Sequence, residues 1–473
     1  MKDGLLKHFV VMGSGTLINM IVGLLTTPII TRIIGIYDYG QYSIFTMYAN
    51  IGLMVLCMGL DQALIRFYYR YESESYKRTL LKFCWILPVI STLILTIIAV
   101  LVSRIGLIKF EFTYKIVALL GSCVLFQIIN RLTLIQLRAS FKTKMYSVLT
   151  IVYKVIYVVL TIIFVLFFKN HCFEWMVIST VISYGVVSVI GVISQKNIWK
   201  FWSIPEKFEI NKKELYFYAI PYIISMGVTT LFQATDKIFL NMYRTYAEVG
   251  IYSSAMSLVN IFAIVQTTFN ALWAPMAIEH YQKYPEDKEF HSRGNRIITI
   301  IMFFIGATLI LCKDIFALLL GSDYREAAYI LPFLIFNPIM YTISETTVAG
   351  IVFKQKSKMH IVVAVISCIT NIVGNTILVP RLGCQGAAIS TGISYIVFFT
   401  TRTTIANRYY NVDWKLKRFY LLTFVTSIYA IACTFYSNLF MEITGYITVI
   451  SCLLLLYKDA VLEGIELVKQ QFK

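Results

Sequence analysis

The sequence predicts an all-α integral membrane protein with about fourteen transmembrane helices. The 473-residue chain is 58% hydrophobic and 14% charged, whereas soluble proteins carry about 25% charged residues. Its mean hydropathy is +0.73, and apolar runs of about 20 residues recur from end to end. This composition excludes most classes of soluble protein, because the solvent for most side chains must be lipid.

Apolar runs long enough to cross about 30 Å of hydrocarbon define the predicted spans. The first run, Phe9–Ile30, follows a basic N-terminus and is too long for the hydrophobic region of a signal peptide, so we interpret it as an uncleaved span. The spans centre near residues 20, 53, 93, 125, 157, 185, 228, 262, 305, 340, 369, 397, 428 and 450.

Basic residues are unevenly distributed between the predicted loops. If both termini face inside, the segments on that side hold 30 Lys and Arg residues, among them Arg402, and the opposite side holds nine, among them Lys313 in an outer loop. The remaining three, Arg131, Lys154 and Lys237, lie within spans. Because basic loops remain on the cytoplasmic side, both termini are predicted to be cytoplasmic. The net charge of +17 therefore indicates topology, and we expect no nucleic-acid partner.

The cysteines and histidines do not have the spacing of a metal or disulfide site. Nine cysteines are an odd number without a Cys-x-x-Cys pair, and most lie within apolar runs. The five histidines are scattered near the ends of spans. We expect no metal site and no cofactor.

Two short matches indicate an internal duplication. Gly40-x-Tyr42-Ser43 recurs at Gly250-x-Tyr252-Ser253, an offset of 210, and Lys142-x-Lys144-Met145 recurs at Lys356-x-Lys358-Met359, an offset of 214. Since six spans separate the matches, the repeats enter the membrane from the same side, as parallel pseudo-twofold lobes do. The predicted domains are an N-terminal lobe (1–200, spans 1–6), a basic cytoplasmic linker (201–215), a C-terminal lobe (216–410, spans 7–12) and a C-terminal helix pair with its tail (411–473).

Uncharged polar residues recur on single faces of several spans. Asn371 and Asn375, for example, are four residues apart and therefore share a helix face. Such residues either line a polar passage between the lobes or hydrogen-bond packed helices to each other. The candidates for a substrate-binding lumen are Asn19, Asn50, Gln127, Gln233, Asn371 and Asn375.

Charged residues inside spans are stronger indications of function, because inserting a charged side chain at the centre of a membrane helix costs about 2.5–3.5 kcal/mol. Lys154, near the middle of span 5, is predicted to be a cation that faces the lumen, with a structural ion pair as the alternative. Arg131, in span 4, either faces the lumen or extends to the cytoplasmic interface. Asp61, Asp236 and Glu345 are candidates for proton or cation coupling, with structural carboxylates as the alternative.

Four groups of residues carry a family resemblance. They are Asn19 with Pro28-Ile29-Ile30-Thr31-Arg32 and Tyr39-Gly40-Gln41-Tyr42; Gly59–Tyr68; Ala219-Ile220-Pro221 with Asp236-Lys237 and Glu248–Tyr252; and Asn371, Asn375 and Pro380 with Gly383–Thr391. In order and spacing they resemble the polysaccharide transporters of the multidrug/oligosaccharidyl-lipid/polysaccharide exporter superfamily, of which the Wzx-type O-antigen and capsule flippases are members. The resemblance covers roughly residues 1–410.

The resemblance implies a flippase that moves an undecaprenyl-diphosphate-linked oligosaccharide, such as an O-antigen or capsule unit, from the inner to the outer leaflet of the bacterial plasma membrane. It also implies a two-lobed fold of 12–14 helices with a cationic cavity that works by alternating access. The expected partners are the lipid-linked oligosaccharide, membrane lipids, and the glycan polymerase and glycosyltransferases of the pathway. Many Wzx-type members have about twelve spans, whereas lipid II flippases have fourteen, as predicted here.

Two other functions fit the sequence less well. A cation- or proton-coupled multidrug exporter of the same fold would need an acidic cavity, and only Asp61, Asp236 and Glu345 are candidates. A membrane enzyme that polymerises or acylates glycans would need an acid–base cluster or a sizeable outer loop, and the sequence predicts neither. We therefore expect a transporter and not an enzyme.

Overall fold

The computed structural model describes residues 21–106, 111–168, 170–201, 210–436 and 438–462, and Asn19 lies outside these ranges. The described residues form helices and turns without a strand, so the all-α prediction is confirmed. The chain divides into two compact units, Met1–Ala234 (unit 1) and Thr235–Lys473 (unit 2). The predicted domain boundaries around residues 201–215 and 411 remain predictions.

Unit 1 contains the first eight helices and the beginning of the ninth. The helices are α1 (Ile21–Thr31), α2 (Ile36–Cys57), α3 (Leu60–Phe67), α4 (Glu74–Ile105), α5 (Tyr114–Ala139), α6 (Thr143–Phe167), α7 (Cys172–Ser194), α8 (Lys196–Trp199) and α9 (Lys212–Tyr243).

Unit 2 contains the end of α9 and all later helices. They are α10 (Tyr246–Val259), α11 (Ala263–Lys283), α12 (Lys288–Leu311), α13 (Lys313–Leu319), α14 (Leu331–Leu334), α15 (Phe336–Thr347), α16 (Ala349–Phe353), α17 (Lys358–Tyr409), α18 (Leu416–Phe435) and α19 (Leu439–Leu456), with short 3₁₀ turns at Asn260–Phe262 and Ser322–Tyr329.

Nine helices in the described residues are long and apolar enough to cross a membrane, or up to twelve if each bent pair of helices is one span. The 52-residue α17 covers the predicted eleventh and twelfth spans and is broken at Gly383. The first predicted span lies partly outside the described residues. The structure therefore supports a multi-pass membrane protein, and the count of fourteen remains a prediction.

The surface of α4 has the pattern that a bilayer requires. Ile90, Ile94, Ile97 and Leu101 recur at three- and four-residue intervals, and each is roughly half exposed. In water such a stripe would be an aggregation hazard, but in lipid it is the ordinary outer face of a spanning helix.

Two glycines with left-handed backbones produce breaks in spans. Gly59 has φ +68°, and a Cβ there would lie 2.5 Å from the Ala219 carbonyl oxygen. Gly383 has φ +57°, and Glu248 accepts a hydrogen bond of 2.9 Å from the amide of Cys384, the next residue. Because L side chains rarely adopt this backbone, glycine lets the chain turn at both points.

The C-terminal helix α19 is attached to unit 2 by a buried ion pair. The Lys313 ammonium group lies 2.8 Å from a Glu442 carboxylate oxygen and 2.9 Å from an Asp314 oxygen. The side chains of Lys313 and Glu442 are 0% and 5% exposed, whereas that of Asp314 is 57% exposed. Lys313 was predicted to lie in an outer loop, but tertiary packing buries it against α19.

We predict that Glu442→Gln and Asp314→Asn have unequal effects on stability. Glu442→Gln should lower the free energy of unfolding by about 3 kcal/mol, because it leaves a buried cation poorly compensated. Asp314→Asn should cost less than about 1 kcal/mol, since water screens that carboxylate. Thermal unfolding in detergent measures both effects. Equal effects of the two variants would contradict the assigned burial. The double variant Lys313→Met with Glu442→Met should recover most of the stability that Glu442→Gln loses, because it leaves no buried charge unpaired.

Candidate functional site

A carboxylate and a guanidinium group form the polar centre of unit 1. Asp61 lies in the first turn of α3, just after the turn at Gly59. Its Oδ2 accepts hydrogen bonds from Arg131 Nε at 2.7 Å and from Gln62 Nε2 at 2.9 Å. The Asp61 side chain is 3% exposed, but that of Arg131 is 37% exposed. The pair therefore holds the arginine in place while leaving part of its charge accessible.

Arg131 opens onto a cavity of about 300 Å³ inside unit 1. A second cation, Arg138, lines the same cavity, and no acidic residue among the described ones does so. The neutral polar and aromatic lining consists of Asn50, Gln62, Gln127, Asn130, Tyr146 and Tyr184. Guanidinium groups bind phosphate oxygens in bidentate fashion, and amides and phenols hydrogen-bond hydroxyl groups. This lining can therefore accommodate an anionic, hydroxyl-rich ligand.

Lys154 lies on α6, outside the lining of this cavity, in a region rich in tyrosine. The preceding residue, Tyr153, stacks on Tyr184 with ring centroids 4.2 Å apart. The Lys154 ammonium group lies so close to α1 that a Cβ on Gly23 would be 2.5 Å from it. The absence of a side chain at Gly23 thus provides the space that the cation occupies.

Unit 2 contains a buried carboxylate surrounded by neutral donors. Asp236 is 6% exposed. One of its oxygens accepts hydrogen bonds from Tyr252 at 2.5 Å and Thr391 at 2.6 Å, and the other accepts from Asn371 at 3.0 Å and Asn375 at 2.7 Å. These four donors satisfy the hydrogen-bonding capacity of the buried carboxylate, and Asn, Thr and carboxylate oxygens are also ligands for hard cations.

The third acidic candidate, Glu345, has a basic partner. Its carboxylate lies 2.8 Å from Arg402 Nη1, which also donates to the Ser344 hydroxyl at 2.6 Å. The Arg402 guanidinium group lies over the rings of Tyr341 and Phe398, 5.7 and 5.5 Å from their centroids. Arg402 was counted with an inside loop, but it is 6% exposed within α17. This pairing favours a structural role for Glu345.

The structure brings the sequence-predicted residues together in two groups. Asn50, Asp61, Gln127 and Arg131 meet at the cavity of unit 1, and Asp236, Asn371 and Asn375 meet in unit 2. Gln233 is exposed and belongs to neither group. Lys154 and Glu345 each lie elsewhere in their own unit.

Sequence reasoning missed several members of these groups. Tyr252 and Thr391 lie in segments that carried the family resemblance, yet hydroxyls in an apolar span gave no separate signal. Asn130, next to Arg131, and Tyr184, between Ser183 and Gly185, were marked neither by charge nor by a helical repeat. If the predicted repeats are aligned at an offset of 214, Arg131 corresponds to Glu345, a residue of opposite charge.

Comparison with solved structures defines the class of protein. The chain is similar to the lipid II flippase MurJ in its inward closed conformation, with a TM-score of 0.67, 13% identity, and coverage of 96% of this chain and 100% of that one. It is also similar to an inward-facing multidrug resistance MATE family transporter of the MOP superfamily, with a TM-score of 0.57, 14% identity, and coverage of 83% and 94%. The chain is thus a multi-pass membrane protein with the fold of these transporters.

Sequence comparison identifies the family. Residues 5–279, more than half of the chain, match the family model described as polysaccharide biosynthesis protein, and the chain belongs to this family. A curated relative, the probable low-salt glycan biosynthesis flippase Agl15 of Haloferax volcanii, is 21% identical over 216 residues. That match covers 43% of this chain and 45% of the relative, so the chain spans less than half the length of the relative that it matches.

We predict that the two partners of the unit 1 ion pair contribute unequally to stability. Arg131→Met should cost about 3 kcal/mol, because Asp61 would remain charged and buried. Asp61→Asn should lower the free energy of unfolding by only about 1 kcal/mol. Arg131 can turn toward the cavity, and Gln62 Nε2 can still donate to the side-chain oxygen of the new amide. Urea unfolding of both variants in detergent tests the difference. A larger loss for Asp61→Asn would contradict the assigned exposures.

Proposed function

We propose that this protein is a flippase that moves a polyprenyl-diphosphate-linked oligosaccharide from the inner to the outer leaflet of the bacterial plasma membrane. The observation that carries the proposal is the cavity of unit 1, where Arg131 and Arg138 lie among neutral amides and tyrosines. Family membership and the transporter fold support it. The substrate is proposed to be undecaprenyl-linked, as an O-antigen or capsule unit is, and both termini to be cytoplasmic.

The chemistry of such a substrate matches this cavity. A diphosphate and its sugars cannot enter hydrocarbon without losing their hydration, whereas the prenyl chain can stay in lipid. Arg131 and Arg138 bind the diphosphate, and Asn50, Gln127 and Asn130 hydrogen-bond the sugar hydroxyls. Lys154 supplies a further cation along the path. Alternating access between the two lobes then exposes the headgroup to either side in turn.

We also propose that Asp236 couples transport to a proton or cation gradient. Its carboxylate is buried, the four hydrogen bonds that hold it come from neutral groups, and the adjacent Lys237 interacts with it electrostatically. A bound proton or cation would change the hydrogen bonds between α9, α10 and α17, which meet at this group. Asp61 and Glu345, by contrast, already have arginine partners.

A multidrug exporter is the second candidate function, because Asp236 is a buried carboxylate that can attract a cation. The charges lining the unit 1 cavity disfavour it, since two arginines would repel a cationic drug. Drug susceptibility of a deletion strain separates the two functions. A flippase mutant should accumulate lipid-linked glycan without becoming hypersensitive to cationic drugs.

The first functional prediction concerns the cations of unit 1. In liposomes containing a short-prenyl, diphosphate-linked oligosaccharide, a membrane-impermeant sugar oxidant measures which leaflet holds the headgroup. We expect flipping to slow about tenfold or more in two variants: Lys154→Ala, and the double variant Asp61→Asn with Arg131→Gln. Each variant lacks a cation that the proposal assigns to binding the diphosphate. The double variant removes both partners and so leaves no buried charge unpaired.

Gly23→Ala provides a milder test of Lys154, because its methyl group displaces the ammonium without removing it. Gly35→Ala is the matched control, since a Cβ at Gly35 meets nothing within 4 Å. We expect the first variant to impair flipping and the second to resemble wild type. Normal flipping by Lys154→Ala at equal protein content would eliminate the role of this lysine.

The second functional prediction concerns Asp236. An imposed Na⁺ or proton gradient should accelerate flipping by wild type and have no effect on Asp236→Asn, because the amide cannot bind a proton or balance a cation. Glu345→Gln should still respond to the gradient, because in the wild type the Glu345 carboxylate is paired with Arg402 and is not the proposed coupling group. The comparison uses the same liposome measurement with and without the gradient. If the gradient accelerated flipping by Asp236→Asn as much as by wild type, Asp236 would not be the coupling residue.

A further inference from the structure

A second polar cavity, of about 170 Å³, lies in unit 1 at the ends of α5 and α7. Residues from three segments form it: the beginning of α4, the turn between α5 and α6, and the junction of α7 with α8. Its polar lining includes Glu74, Ser140, Lys142, Gln195, Lys196 and Asn197. None of these residues lines the cavity that contains Arg131.

The electrostatic environment of this cavity favours an anion. Lys142 is the N-cap residue of the 25-residue α6, whose N-terminal amides add partial positive charge. Lys196 contributes a second ammonium group from the junction with α8. The carboxylate of Glu74 is 63% exposed and lies 3.4 Å from Arg78 Nη2, one turn along the same helix, so Arg78 and water offset part of its charge.

A buried amide in the lining has unused hydrogen-bonding capacity. Gln195 is 4% exposed. Its Nε2 donates to the carbonyl oxygens of Thr133 at 3.2 Å and Gly191 at 3.5 Å, but its Oε1 has no hydrogen-bond partner among the described residues. Because a buried acceptor without a donor costs stability, a ligand that carries a hydroxyl group would complete this site.

An apolar stripe on α7 leads to the mouth of the cavity. Ile182, Val186, Val189 and Ile193 recur at three- and four-residue intervals and are between 38% and 64% exposed. Ile193 also lines the cavity itself. A cationic pocket at one end of a lipid-facing apolar stripe has the arrangement that a phospholipid needs, with headgroup and acyl chain bound side by side.

We propose that this cavity binds the headgroup of an anionic phospholipid with a hydroxylated headgroup, of which phosphatidylglycerol is the simplest example. Lys142, Lys196 and the α6 N-terminus bind the phosphate, Gln195 Oε1 accepts a hydrogen bond from the headgroup hydroxyl, and the α7 stripe contacts an acyl chain. With the predicted topology, the site lies in the inner leaflet. The inference concerns a bound lipid and does not depend on the proposed transport activity.

Lipid binding to the purified full-length protein in detergent tests the proposal. Native mass spectrometry gives the affinity for dioleoylphosphatidylglycerol, with dioleoylphosphatidylcholine, which has the same chains, as the reference lipid. The test variant is Lys142→Gln with Lys196→Gln. The matched control is Lys144→Gln with Lys200→Gln, which removes the same charge from exposed positions on the same segments outside the cavity.

We expect phosphatidylglycerol to bind wild type more tightly than phosphatidylcholine does. The test variant should bind it about thirtyfold more weakly, at about 1 kcal/mol for each lysine, and the control should stay within about twofold of wild type. Equal losses in both double variants, or equal binding of the two lipids to wild type, would overturn the site. Displacement of phosphatidylglycerol by millimolar inorganic phosphate would identify a free-anion site and overturn the lipid assignment.

Discussion

The requirement to neutralise charge in a low-dielectric solvent determines much of this structure. Three ion pairs between different helices of the described residues, Asp61–Arg131, Lys313–Glu442 and Glu345–Arg402, bury at least one member. Lipid provides no water to solvate an isolated charge, so each buried ion needs a partner within the protein. These pairs determine which helices must pack together and which charges remain available to a ligand.

The consequences differ between the pairs because their exposure differs. Lys313 and Glu442 are both buried, so their pair only attaches α19 to unit 2. Arg402 is also buried, while Glu345 is 19% exposed, and two aromatic rings and Ser344 hold the arginine. Arg131 alone among the six combines a buried anchor with an exposed side, and that exposed side faces a cavity. In the proposed flippase, this structural ion pair acts as a preorganised anion-binding group.

The two units have different polar chemistry, although the sequence predicts that the two lobes are repeats. Unit 1 presents arginine to a cavity, whereas unit 2 encloses Asp236 with four neutral donors. In the predicted repeats, an offset of 214 pairs Arg131 with Glu345, which is a difference of the same kind at a single position. In the proposed flippase this divergence separates substrate binding in one lobe from ion coupling in the other.

The sequence by itself determined the class of structure, because the composition and length of apolar runs reflect the solvent and need no knowledge of packing. It also selected Asp61, Arg131, Asp236, Asn371 and Asn375, since polar groups in apolar spans are conspicuous. Only the tertiary structure decided their partners. Contacts such as Asp61 with Arg131, 70 residues apart, depend on how helices pack, and helical periodicity gives a face but not the neighbour that this face meets. The burial of Lys313 and Arg402 escaped prediction for the same reason.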